Sequence, residues 1–356
     1  MKQDDFFANL QKDLGNEWIV TGEQMVNEEN EYVDTGSYTL NALLSGDLFG
    51  GLLGNKITVF AGESATGKTF FTLACVKQFL EDNPTGYVFY FDTESAISPA
   101  VVKTIGVNAN RVAIVPVNTV QEFRTQAIKI LDGYIEAKDN KDRPKMMLCL
   151  DSLGMLSTTK EIEDTAEGKE TKDMTRAQLL RATFRVLTLK LGKAQVPLLV
   201  TNHTYDQVGT MFPQKIMTGG QGIRYSADTI VYLSKKKDKI GTEVVGNIIK
   251  CKNDKNRLAK ENKMVETLIN YSTGLSRYFG LLELAERYEL VKKVSTRYEF
   301  PDGTKAFGKK INEEPEKFFT QEFMEELNKF VQEDFLYGAE EKYEEESDQV
   351  LLQEVK

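Results

Sequence analysis

The stretch KITVFAGESATGKTFFTLACVKQFL, residues 56–80, decides the fold. It opens with a short apolar run of strand length, Lys56–Ala61, and closes on a helical pattern, Thr69–Leu80. Between them GESATGKT fits the spacing G-x-x-x-x-G-K-T. A loop that leaves a strand and opens a helix turns its backbone N–H groups and the helix N-terminus toward one point, where phosphates bind. Gly62, Glu63, Ser64, Ala65, Thr66, Gly67, Lys68 and Thr69 are therefore the candidate phosphate cradle. The Lys68 ammonium is placed to reach the β- and γ-phosphates, and the Thr69 hydroxyl to ligate Mg2+.

Outward from this loop the pattern repeats. Tyr87–Phe91, Arg111–Val117, Met146–Leu150, Pro197–Thr201 and Thr229–Leu233 are nearly continuous apolar runs, as strands covered on both faces should be. Helical stripes lie between them: Phe123, Ala127, Ile130 and Tyr134 in residues 121–135, then Leu180, Phe184, Leu187 and Leu191 in residues 175–194. Alternation of this kind specifies an α/β fold with a mostly parallel central sheet. Two long polar connections, 157–173 and 205–222, interrupt it and read as functional loops.

Two acidic positions join the phosphate loop. MMLCLD ends in Asp151, where an apolar strand meets the C-terminal edge of the sheet and a carboxylate orients hydrated magnesium. In FYFDTES, Glu94 stands beside the γ-phosphate if its strand neighbours the first, and is then placed to orient or deprotonate water. Asp92 in the same string also suits a simple capping role.

Composition excludes other classes. With 45 Lys and Arg against 54 Asp and Glu the net charge is −9, so bulk electrostatic attraction to nucleic acid is absent and only a local basic groove remains. One histidine and three scattered cysteines leave no zinc pattern, and the cysteines suit buried thiols in a reducing cytoplasm. No apolar run reaches the length of a bilayer span, so no membrane association is expected. The polar N-terminus does not suit a secretory signal. Residues 1–34 read as an arm that serves oligomerisation, 35–279 as the core, 280–338 as a small α+β appendage with a hairpin at Asp302-Gly303, and 339–356 as an acidic tail.

In this order, TGSYTLNALLSG, GESATGKT, YFDTES, LCLDSLGML and TNHTYDQVGTMFPQKIMTGGQGIRYSAD resemble the RecA-type strand-exchange recombinases. The DSLG, DMTRA, NHTY and YSADT strings carry a particular likeness to the phage UvsX group. The resemblance runs from about Thr35 to Lys310. It implies a RecA-like ATPase core that uses ATP and Mg2+, with Asp151 acting on the metal through water and Glu94 as the catalytic carboxylate. It also implies DNA-dependent ATP hydrolysis, helical filaments on single-stranded DNA and pairing with homologous duplex in recombination, repair and recombination-dependent replication. A recombination mediator and a single-strand-binding protein are the implied partners. The setting is the cytoplasm, that of the host bacterium if the chain is phage-encoded.

Residue by residue, the likeness makes 157–173 and 205–222 the first and second DNA loops. Arg176, Met211, Phe212, Gly219 and Gly220 are then DNA-binding, and Arg224 and Tyr225 lie at a subunit interface. Such proteins place ATP between neighbouring subunits, and the string IIKCKNDKNRLAK supplies basic residues to the neighbour's γ-phosphate. Lys252 and Lys255 are the choice, with Lys250 or Arg257 as substitutes. One position departs from the family. Val101 stands where a tyrosine usually stacks on adenine, so other contacts must hold the base.

The single histidine, His203, reads alone as a packing or loop-edge residue rather than a base. In the resemblance it takes the place of a RecA glutamine, between the γ-phosphate and the second loop, which makes it a switch coupling the two sites. Two rival readings stay open: a hexameric DNA translocase or helicase of the same superfamily, and a DNA-coating mediator that binds ATP without hydrolysing it.

Overall fold

A computed structural model describes residues 31–138, 140, 142–169, 175–206, 215–219 and 221–338, with residues 6, 12–15, 19 and 22 of the N-terminal segment. A two-stranded ribbon comes first, β1 (Tyr32–Val33) and β2 (Leu52–Leu53), with α1 (Tyr38–Ser45) between its strands. The core follows as β3 (Ile57–Gly62), α2 (Lys68–Asp82), β4 (Tyr87–Asp92), α3 (Pro99–Ile105), β5 (Val112–Pro116), α4 (Val120–Glu136) and β6 (Met146–Asp151). It continues through α5 (Thr159–Ala166), α6 (Arg176–Ala194), β7 (Leu198–Asp206), β8 (Lys215–Met217), α7 (Gln221–Ser226) and β9 (Thr229–Ile240). Next come β10 (Glu243–Asn256), β11 (Met264–Asn270) and β12 (Gly274–Leu275).

These strands form one ten-stranded sheet in the order β12-β11-β10-β9-β3-β7-β6-β4-β5, with β8 paired to β7. From β5 to β9 every pairing is parallel. From β9 to β12 every pairing is antiparallel. The fold is thus the expected α/β class with a mostly parallel sheet. The C-terminal part adds α8 (Leu281–Arg287), a three-stranded antiparallel sheet of β13 (Lys292–Val294), β14 (Arg297–Glu299) and β15 (Lys305–Phe307), then α9 (Gly308–Glu313) and α10 (Gln321–Phe335).

The continuous apolar runs have a simple cause. Successive residues of a strand point to opposite faces, and here both faces are covered. Met147 and Cys149 join the cluster of α1, α2 and α10, whereas Leu148 and Leu150 join the cluster of α4 and α6. In the second cluster Phe123 meets Phe91 edge-on, with ring centroids 5.0 Å apart. All three cysteines are free and buried, and burial pushes their thiols above the ordinary range.

One expectation needs correction. The connection 157–173 is not irregular throughout, because α5 lies inside it. Its start is a capping box, in which the Thr158 hydroxyl accepts from the Glu161 backbone N–H and the Glu161 carboxylate accepts from that of Thr158. The basic string of residues 248–260 is mostly strand β10. Its lysines alternate with buried Ile249, Cys251 and Asn253, so the charge masks a half-buried strand pattern.

Candidate active site

Parallel strands bring their C-terminal ends to one edge, and the loops that follow β3, β4, β6 and β7 converge there. The phosphate loop sits between β3 and α2. Gly67 adopts φ +92°, a left-handed conformation that favours glycine and lets the chain turn into the helix. At Gly62 a Cβ would meet the Thr66 hydroxyl at 2.7 Å and the Leu233 carbonyl at 2.9 Å, so the loop passes too close for any side chain. The Thr66 hydroxyl donates to the Glu63 carbonyl at 2.8 Å, and Glu63, Ser64 and Ala65 are exposed. Thr69 is partly exposed on the first turn of α2.

Lys68 is buried, and its ammonium donates to the carbonyls of Gly62 (3.0 Å) and Glu63 (2.8 Å). Burial lowers its pKa below the ordinary lysine range, against the opposing pull of Asp151 and Glu94. Asp151 is also buried. It accepts the Tyr90 hydroxyl at 2.7 Å on one oxygen and the Thr201 hydroxyl on the other.

Glu94 reaches this site by a route other than the expected one. Its strand β4 does not neighbour β3, because β6 and β7 lie between them. Asp92 compensates by turning the chain back. Its carboxylate accepts the backbone N–H of Glu94 (3.0 Å), Ala96 (3.4 Å) and Ile97 (3.4 Å). Asp92 is therefore the capping group of this turn. Glu94 Oε1 accepts the Ser152 hydroxyl at 2.6 Å and lies 2.9 Å from His203 Nε2. Burial alone would raise the Glu94 pKa. The Ser152 and His203 hydrogen bonds, with the nearby charges of His203 and Lys68, more than offset that and hold it below the usual carboxylate range. The side chains of Glu94 and His203 are 31% and 27% exposed, so water has access to both.

The structure thus gathers Lys68, Glu94, Asp151 and His203 at the end of the phosphate loop. His203 sits on β7, directly beside Gly62 of β3. Among the described residues no group of three or more His, Cys, Asp and Glu side chains forms a metal site of its own.

Other expected residues fall elsewhere. Lys255 and Lys252 part company across a bulge in β10. The Lys255 ammonium donates to the carbonyls of Arg224 (2.7 Å) and Ala227 (2.6 Å), and Arg257 donates to that of Tyr225 (3.3 Å). Burial and then the Arg257 charge lower the Lys255 pKa. Lys252 and Lys250 instead line a cavity of about 630 Å³ together with Lys215, Tyr232 and Asp254. Arg224 pairs with Asp254, and Tyr225 is 66% exposed. Val101 lies on α3, partly buried against the core.

Arg176 begins α6, and its guanidinium donates to the Gly154 carbonyl at 2.8 Å, which ties it to the stem of the first loop. Gly219 adopts φ +81°. Met211, Phe212 and Gly220 lie outside the described residues. In the second loop β8 pairs with β7, and Lys215 contacts Glu63 of the phosphate loop as well as Asp206.

Sequence reasoning missed Ser152, Tyr90, Thr201, Asn202, Thr218 and Lys215. Only Ser152 carried a signal, since it stands next to Asp151 at the strand end. The others are ordinary residues until register brings them together.

A family model for the RecA N-terminal domain matches residues 3–276. The chain belongs to the RecA family. It is 31% identical over 265 residues to the recombination and repair protein of Enterobacteria phage T4, covering 74% of this chain and 66% of that protein. RecA of Borrelia hermsii is 26% identical over 335 residues, covering 92% and 90% of the two chains. RecA of Deinococcus radiodurans is 27% identical over 299 residues, covering 80% and 77%. The RecA-family assignment agrees with the resemblance carried by the motifs. No described helix is long and apolar enough to cross a membrane.

Proposed function

We propose that the chain is a DNA-dependent ATPase of recombination and repair, which assembles on single-stranded DNA and pairs it with homologous duplex. The observation that carries this reading is the Glu94 carboxylate, fixed by Ser152 and His203 at the open end of the phosphate loop with Lys68 close by.

The triphosphate of ATP lies along the backbone N–H groups of residues 62–69, and Lys68 neutralises the β- and γ-oxygens. Thr69 and Asp151 are the residues that would hold Mg2+, which would supply charge neutralisation to the phosphates. Glu94, a carboxylate ionised at neutral pH, accepts the proton of the attacking water as its oxygen bonds to the γ-phosphorus. The bond to the β,γ-bridging oxygen breaks, and ADP and phosphate leave. His203, whose Nε2 faces the carboxylate, carries the state of this site along β7 into the second loop.

Arg176, Gly219, Gly220 and the Met211-Phe212 step bind the strand, with Met211 and Phe212 stacking against bases. Residues 1–34, Arg224 and Tyr225 serve self-association into filaments. Basic residues at the end of β10 and just after it reach a neighbour's γ-phosphate, and Lys255 and Arg257 beside Tyr225 suit this better than Lys252. The mediator and single-strand-binding partners belong to the same reading.

ATP turnover with and without single-stranded DNA, joined to electron microscopy of the same mixtures, tests it. Open filaments with DNA-stimulated turnover are expected. Closed rings that never open would support a translocase, and filaments without turnover a mediator.

A further inference from the structure

Two loop stems end on a single oxygen atom. Glu94 Oε1 accepts both the Ser152 hydroxyl (2.6 Å) and a hydrogen bond from His203 Nε2 (2.9 Å). Ser152 follows Asp151 at the end of β6 and opens the stem of the first loop, through the single turn Leu153–Met155. His203 belongs to β7, the stem of the second.

The two stems also touch each other. Asn202, fully buried, donates its amide to the Thr218 carbonyl at 2.9 Å and accepts the Thr218 hydroxyl at 2.5 Å. A Cβ on Gly154 would stand 2.6 Å from the Thr218 hydroxyl and 3.2 Å from His203 Cδ2, so the first stem lies against the second only because this residue is glycine.

Ser152 has little freedom. It is fully buried, its backbone N–H donates to the Thr93 hydroxyl at 2.8 Å, and its carbonyl accepts that hydroxyl at 3.0 Å. A serine hydroxyl carries one proton, and here it is committed to Glu94.

We propose that Ser152 is a positioning residue for ATP hydrolysis, the arm through which the first loop reaches Glu94, as His203 is the arm of the second. Both arms hold Oε1, which leaves Oε2 to take the proton from water. Movement of either stem turns the carboxylate plane, and a displacement of 1 Å at a reacting group costs about 100-fold in rate. Glu94 then fires fully only when both loops are set by the bound strand. This inference rests on the ATPase reading above.

The test compares Ser152→Ala with Ser152→Cys, a near-isosteric side chain that is a poor donor. For both, DNA-stimulated kcat is expected to fall about 10- to 100-fold. KM for ATP should stay within about threefold, and a fluorescent ATP analogue should still bind. Because both arms act on one oxygen, adding His203→Ala to Ser152→Ala should cost far less than the product of the single losses.

Wild-type turnover in Ser152→Cys would reduce Ser152 to packing and overturn the proposal, as would strictly multiplicative losses in the double variant. If Ser152→Ala does not fold, Ser152→Cys decides alone. Wild-type protein that shows no DNA-stimulated turnover removes the ATPase reading itself. Stimulated wild type with equally stimulated Ser152 variants removes only the role of Ser152.

Discussion

From β5 to β3 the strands run parallel, and the carboxylates at their ends, Asp92, Asp151 and Glu94, each accept hydrogen bonds from neighbouring groups. From β9 to β12 the strands alternate in direction, and β9 runs out into Lys235, Lys236 and Lys237, all exposed. The difference follows from topology. Parallel strands deliver successive loops to one edge, where a few buried groups can be held in fixed relation. Antiparallel strands send alternate ends apart, so charge is spread along a surface and acts by number rather than by geometry. One half gathers its groups at a point, and the other lays its charge along a surface.

If that contrast is right, substitutions at the buried groups of the parallel half should abolish turnover and those at the exposed lysines of β9 should not. Lys68→Ala tests the extreme. It should remove ATP turnover and D-loop formation altogether, measured by phosphate release and gel shift, and exchange at the wild-type level would contradict the phosphate site. Glu94→Gln should lower turnover about 100- to 10,000-fold while ATP still binds, as loss of a general base does. His203→Ala should keep ATP affinity largely intact but lose DNA stimulation, and an unchanged stimulation ratio would refute the coupling role.

The pH profile sharpens the same contrast. Glu94 must be ionised to act, and its pKa is depressed, so the acid limb of kcat/KM should fall below the ordinary carboxylate range. Lys68 must be charged and its pKa is lowered, so the alkaline limb should appear below 10.5. Lys236→Ala and Lys237→Ala sit at the mild end. Each should leave turnover at saturating DNA near wild type, because neither side chain touches the groups around Glu94. Smallest of all, Thr158→Ala should cost about 1 kcal/mol through loss of the α5 cap, read by thermal unfolding.

The same division explains what could be read from the sequence. The parallel half was legible because burial on both faces writes strands as apolar runs, and because the phosphate loop needs glycine and lysine at fixed spacing. Asp151 and Glu94 were legible as acids at strand ends, but the neighbour order was not. A local pattern carries no information about which later strands return to fill the gap between β3 and β4. Strand β10 was not legible as a strand because one face is solvated and its lysines conceal the alternation. The helix α5 was missed although Thr158 and Glu161 announce it, since a short polar helix has no apolar stripe. Ser152, Asn202 and Thr218 matter only through register, which brings together residues far apart in the chain.

The buried cysteines have a practical consequence. Cys75, Cys149 and Cys251 are all enclosed, and their thiols resist ionisation. Thiolate is the reactive form, so these three should stay silent toward maleimide dyes while the protein is folded. A single cysteine placed at an exposed position such as Leu189 can then take a label without rebuilding the core, and the native chain supplies its own blank for fluorescence measurements of assembly.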